Sequence, residues 1–160
     1  MRFKCSICQE NHEGLPDYGY RWPDHYFDVP ETERKERVVG DEDMCSIDNE
    51  MFFIRGVIQI PVVDYERKFG IGVWVSQKRE NFETYAEKPD TDQIGPFFGW
   101  LCNTISFYHP ETQSIKTMAH FRGNRLRPLI SIEKSDHQLY KDWSEGITLA
   151  KAFEYIHAVS

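Results

Sequence analysis

The sequence has little of what announces an enzyme. It contains no Ser-His-Asp order, no Gly-x-Ser-x-Gly elbow, no Walker loop, no glycine-rich dinucleotide fingerprint and no His-Glu-x-x-His pair. The glycines of "FGIGVWV" lack a third glycine and a helix opening after them, so this stretch reads as a strand. Long apolar runs are missing too: none approaches the roughly 20 residues that span a bilayer, and the start "MRFKCSICQENHEG" has no apolar signal-peptide core. The expectation is a cytoplasmic chain without membrane contact. Positive charge is in short supply, with 19 Lys and Arg against 26 Asp and Glu and a net charge of -7. Such a surface repels an extended phosphate backbone, so no nucleic-acid partner is expected, although Arg122 to Arg127 is locally basic. Cysteine is scarce, with 4 residues in all. In a reducing compartment these read as thiols or metal ligands rather than disulfides.

What is present is the composition of a folded domain: 40% hydrophobic, 14% aromatic and 28% charged residues in a chain of 160. That length suits one core, so residues 1–160 read as a single domain, with a loop-rich segment over 1–48 and a sheet with helices over 49–160. The loop-rich segment carries Pro16, Pro23 and Pro30 and a charged run, "ETERKERVVGDED", suited to a short solvated helix or a loop. "MFFIRGVIQIPV" and "FGIGVWVSQ", joined by "VDYERK", predict two adjacent antiparallel strands. Ser76 stands where a helix cap would, with Phe82, Tyr85 and Ala86 at helical spacing and Pro89 as a stop. "QIGPFFGWLCNTISFY", apolar all round, predicts a buried short helix or a packed loop. In "QSIKTMAHF", Ile115, Thr117, Ala119 and Phe121 alternate with Lys116, Met118 and His120, a strand that "RGNR" turns and "LRPLISIE" returns. Asp136 and Thr148 are predicted to cap two C-terminal helices, and Gly146 to end the first. The class is therefore α+β, a central antiparallel sheet with C-terminal helices and an N-terminal segment tied by a metal.

Five stretches, "FKCSICQENHEGLPDYGYRWPDHYF", "CSIDNEMFFIRGVIQIPV", "FGIGVWVSQKRENF", "FFGWL" and "HQLYKDWSEGIT", together resemble an uncharacterised, mostly bacterial family known as domain of unknown function 2199. The resemblance covers nearly the whole chain. It departs at the family's late motif, which begins His-Pro-Leu, where this chain places Gln138 after His137. It implies a single-domain bacterial protein with a Cys-x-x-Cys start, and no activity, since the family has none assigned.

Cys5 and Cys8 carry the clearest chemistry. Two thiolates at this spacing bind one Zn²⁺ from a single knuckle at about 2.3 Å each. His12 is near enough to fold back, and Cys45 is the distant candidate for the fourth ligand, with His25 and Cys102 as rivals. A structural zinc held by Cys5, Cys8, His12 and Cys45 would close a loop of roughly 40 residues, where a cross-link helps a weak core most. Two other readings stand beside it. All four cysteines are unligated thiols, or Cys5 and Cys8 are a redox pair, although only four residues precede Cys5 to form the strand such a pair follows.

The remaining polar candidates are Arg55, His120, Arg122 and Arg127 for binding an anion, with Arg125 and His137 nearby in sequence. Arg55, amid "FFIRGVIQ", either pairs with a carboxylate or faces a ligand anion. Trp74 and Trp100 are expected in the core. No nucleophile stands with its base in the sequence, so no catalytic residue is assigned. The favoured function is a zinc-stabilised module that binds another protein. The alternatives are a small hydrolase or transferase holding an anionic ligand near Arg55 and Arg127, and a thiol redox protein using Cys5 and Cys8.

Overall fold

Strand-forming, alternating sequence dominates the middle of the chain, and the structure follows it. The computed structural model describes residues 2–4 and 11–159. In chain order these form β1 (Arg2–Lys4), β2 (Asn11–Glu13), β3 (Tyr18–Gly19), α1 (His25–Asp28), α2 (Arg34–Arg37), β4 (Val38–Gly40), β5 (Met44–Ile47), β6 (Met51–Ile60) and β7 (Phe69–Gln77). They continue as α3 (Arg79–Glu87), β8 (Phe97–Trp100), β9 (Lys116–His120), β10 (Leu129–Ile132), α4 (Gln138–Glu145) and α5 (Leu149–Ala158). Among the described residues β1 and β2 pair only with each other, and the large sheet runs β3-β7-β6-β10-β9-β8, with β5 also on β6 and β4 on β5.

β6 and β7 form the expected antiparallel pair, in a register that sets Arg55 opposite Trp74 and Phe53 opposite Ser76. β9 and β10 are likewise antiparallel. The sheet as a whole is mixed, however: β3 is parallel to β7, and β10 is parallel to β6. The long path through α3, β8 and β9 supplies the crossover that a parallel pair needs. The sheet also curls back on itself. Just past β8, Leu101 bridges Val75, and the Cys102 amide donates to the Trp74 carbonyl at 2.9 Å, so β8 returns to β7.

The ring encloses the core. Ile54, Ile58 and Ile60 of β6, Phe69, Ile71, Val73 and Val75 of β7, Ala119 and Ile130 pack with Leu139, Ala152 and Phe153 of α4 and α5. Each fully buried Ile or Phe contributes about 1.5–3 kcal/mol before entropy is counted. Gly56 is required here, because a Cβ would stand 2.5 Å from Ile130 Cδ1 and 2.9 Å from the Pro128 carbonyl. A second cluster lies on the other face of β5 to β7: Val29, Cys45, Ile47, Phe53, Trp74 and Cys102, covered by Trp22 and Val38. Asp24 fastens this cover, accepting from the Thr104 amide at 2.8 Å and from Gln113 Nε2 at 3.2 Å.

Three local expectations are corrected. Ser76 ends inside β7, and α3 is capped at Lys78 instead. The apolar "FFGW" is the strand β8, neither helix nor loop, because its backbone completes the ring. α4 is capped by His137, whose Nδ1 accepts from the Leu139 amide at 2.9 Å, and not by Asp136. Gly146 and Thr148 end and start the C-terminal helices as expected. No helix among the described residues is long and apolar enough to cross a membrane.

Candidate functional site

Cys5 and Cys8 lie outside the described residues. His12 lies in β2, opposite Phe3. Cys45 is fully buried in the outer cluster, and burial pushes its thiol up to about 11 despite the opposing field of Arg21. Cys102 sits in the same cluster; burial pushes its thiol up to about 12, and Sγ donates to the Trp100 carbonyl at 3.2 Å. Neither is in a disulfide, and burial by itself favours the protonated thiol at both. Among the described residues no three His, Cys, Asp or Glu side chains group to hold a metal ion.

The anion-binding candidates come together only in part. Arg55 projects from β6 on the outer face, 5.8 Å from the Trp74 ring, and donates from Nη1 to the Glu42 carbonyl at 3.1 Å. Burial, then the nearby guanidiniums of Arg127 and Arg21, hold it below the usual arginine range. Arg127 is close by but is spent on Asp43 at 2.8 Å, and Arg122 donates to the Arg127 carbonyl. None of the cavities described below is lined by Arg55. His120 stands apart, 2.8 Å from Ser131 Oγ, in a depression of about 520 Å³ shared with Gln59, Lys68 and Trp143. His137 is consumed as a helix cap, with Nε2 against the Pro110 carbonyl at 2.8 Å.

The site with the strongest physical signature is elsewhere, at the seam where β8 meets the end of β7. A pocket of about 480 Å³ opens there, walled by Met51, Phe52, Phe53, Trp100 and Cys102, with His25, Glu50, Ser76 and Gln77 as polar lining. The seam is closed by side chains: Ser76 Oγ accepts from the Trp100 amide at 3.0 Å, and Gln77 Nε2 donates to the Phe98 carbonyl at 3.1 Å. Two polar atoms in this lining, His25 Nδ1 and Gln77 Oε1, are buried without a hydrogen-bond partner; among the described residues only Arg55 Nε shares that state. Native proteins rarely leave such atoms unpaired, and each costs roughly 1–3 kcal/mol. The rim is apolar and open: Trp100 is 43% exposed and Met51 39%, and Phe98, 42% exposed, stands against Trp100 with ring centroids 5.1 Å apart. Trp74 is fully buried as expected, whereas Trp100 is not a core residue.

Nothing in the sequence singles out Gln77, and His25 stands there only as a spare metal ligand. The available signal was "FFGWLC", too apolar for a surface strand unless its face is used. The chain belongs to the family described as "uncharacterized protein conserved in bacteria" (DUF2199), whose model matches residues 4–147. That stretch contains every residue of the pocket. A search of curated proteins and a search of solved structures each found no match.

Proposed function

We propose that this protein is a binding module for another protein, and that the pocket at the β7–β8 seam receives a side chain of the partner. One observation carries this reading: a pocket of about 480 Å³ with apolar walls opens beside the exposed Trp100, Phe98 and Met51. Exposed Trp, Phe and Met around a pocket are the composition of an interface hot spot. Strand addition is not the mode, because the Phe98 carbonyl and Trp100 amide of the β8 edge are already bonded to Gln77 and Ser76. The protein-binding role is non-catalytic, with Cys102 as a packing residue. A structural zinc on Cys5, Cys8, His12 and Cys45 belongs to the same proposal, as the tie that holds the N-terminal segment.

The test is a titration of the whole chain with N-acetyl amides of phenylalanine, leucine, arginine and glutamate, followed at the Trp100 indole N–H, which a Trp100→Phe variant assigns. At least one probe should shift that signal at about 10 mM, the affinity range of a single side chain. If none does, the pocket is not a recognition site. A second reading, hydrolysis at Ser131, has in its favour the 2.8 Å contact with His120. It lacks a carboxylate orienting His120 among the described residues, and an esterase activity unchanged in Ser131→Ala would remove it.

A further inference from the structure

We propose that the depression between β6 and β10 is a second binding site, one that takes the carboxylate of an organic acid with an apolar body. It shares no residue with the pocket at the seam, so it stands or falls apart from that reading. The opening has a cause in the sheet. β6 and β10 run parallel, yet their ladder holds at the single pair Val57–Leu129, reinforced by the Val57 amide donating to the Pro128 carbonyl at 2.9 Å. Beyond it, residues 58–60 and 130–132 continue without pairing to each other, and α4, packed against both strands, sets Trp143 in the gap. The result is a depression of about 520 Å³ with Leu129, Ile130 and the half-buried Trp143 as apolar walls. A flat or branched hydrocarbon body fits such walls.

The polar lining decides the charge of the occupant. It consists of Gln59, Lys68, His120 and Ser131, with no carboxylate, in a chain where Asp and Glu outnumber Lys and Arg by 26 to 19. Lys68 is exposed and forms no ion pair among the described residues. Asp17 and Glu66 line an adjoining depression that Gln59 and Lys68 share, but no ion pair joins Glu66 to Lys68, and Asp17 is held by Arg67 at 3.2 Å and by the Gly70 amide at 3.1 Å. His120 Nε2 and Ser131 Oγ are 2.8 Å apart. Whichever of them donates in that bond, one hydrogen is left over: on the Ser131 hydroxyl in one case, on His120 Nδ1 in the other. The pair can therefore donate to an incoming oxygen in either tautomer, and the alternative acceptor for Ser131, the Met118 carbonyl, is 3.4 Å away. One cation with neutral donors matches a single negative charge. No arginine lines the depression to grip the second charge of a phosphate, and a bare phosphate would leave the apolar walls in water.

The experiment titrates the whole protein with 3-phenylpropionate and N-acetyl-phenylalanine, each beside its own uncharged amide, and with inorganic phosphate. The reporter is the Trp143 indole N–H, which a Trp143→Phe variant assigns. The two acids present the same carboxylate from its two sources, a free acid and the carboxyl end of a peptide, and the tighter of them names the source. That acid should move the Trp143 signal at about 10 mM and bind at least about threefold tighter than its amide. Lys68→Gln should remove most of that difference while leaving amide binding as it was; Lys68 is exposed, so the variant keeps the fold. Equal binding of acid and amide, acid binding untouched by Lys68→Gln, or tighter binding of phosphate overturns the assignment. Silence of Trp143 toward every probe removes the site, whatever Trp100 shows at the seam.

Discussion

Replacing His25 by phenylalanine should make this protein more stable, which is unusual for a change at a partly buried position. In the folded chain His25 Nδ1 is buried with no partner, whereas unfolding returns it to water. A phenylalanine removes that unpaired nitrogen and keeps the ring contact with Phe53, whose centroid lies 5.1 Å away. Its extra bulk faces a pocket of about 480 Å³, so no overpacking penalty is incurred. An unsatisfied buried polar atom costs roughly 1–3 kcal/mol, and because the His25 ring is only half-buried the lower part of that range applies, about 1–2 kcal/mol. For a domain of this size each kcal/mol moves Tm by about 2–4 °C, so a rise of about 2–8 °C is expected. The assay is thermal unfolding by calorimetry, with a one-dimensional NMR spectrum to establish that the fold is kept. A folded variant whose Tm is unchanged or lower would refute the reasoning, because it would mean that Nδ1 is already satisfied, for instance by an ordered water.

Other predictions concern the core and the thiols. Tyr108 and Tyr155 both donate to Asp142 Oδ2 at 2.6 Å, while Gln138 holds Oδ1 at 2.7 Å, so Tyr155→Phe should cost about 1.5–3 kcal/mol by urea unfolding, and a loss under about 0.5 would contradict it. Burial first, then the bond to Asp142, raises both phenols above the ordinary tyrosine value of 10.0. A raised folded pKa contributes stability that is full below pH 10 and lost as pH climbs past it, so alkaline unfolding should be shallower in Tyr108→Phe and Tyr155→Phe than in the wild type. Cys102 should stay silent toward a thiol reagent at neutral pH until the protein unfolds, since burial keeps it protonated. Elemental mass spectrometry should find about one zinc per chain, and Cys45→Ser should lower both zinc content and Tm; unchanged stoichiometry in that variant would exclude Cys45 as a ligand.

The fold was legible where periodicity was strict. Ile115, Thr117, Ala119 and Phe121 alternate cleanly, and β9 has its buried face there. β6 and β7 were visible as a hairpin because β-branched and aromatic residues fill them on both faces. The parallel pairing of β10 with β6 was not legible, since register between distant strands depends on ring closure and no local residue encodes it. β8 was misread because its apolar residues serve three surroundings at once: Gly99 packs on β7, Phe97 meets Phe121 and Trp100 faces out. The pocket was hidden for a related reason. His25 and Gln77 are far apart in sequence and become a pair only when the 20–29 segment folds over the outer face.

Whether the seam is a binding site or merely a joint turns on how its two partnerless atoms arise. Gln77 has a structural use, since its Nε2 closes the ring onto the Phe98 carbonyl, and a carboxamide that donates there brings an oxygen along regardless. One unpaired acceptor is therefore an ordinary by-product of closing a sheet with a side chain. His25 cannot be explained in that way. Its cover segment is already fastened by Asp24 to Thr104, Asn103 and Gln113, so no closure depends on the imidazole, and a phenylalanine would pack on Phe53 without leaving a polar atom dry. Two such atoms in one pocket, only one of which the architecture requires, amount to stability left unclaimed at a single place. Neither atom reaches the pocket surface, so the physical ground for preferring recognition to packing at the β7–β8 seam is the exposure of Trp100, Phe98 and Met51 beside the pocket.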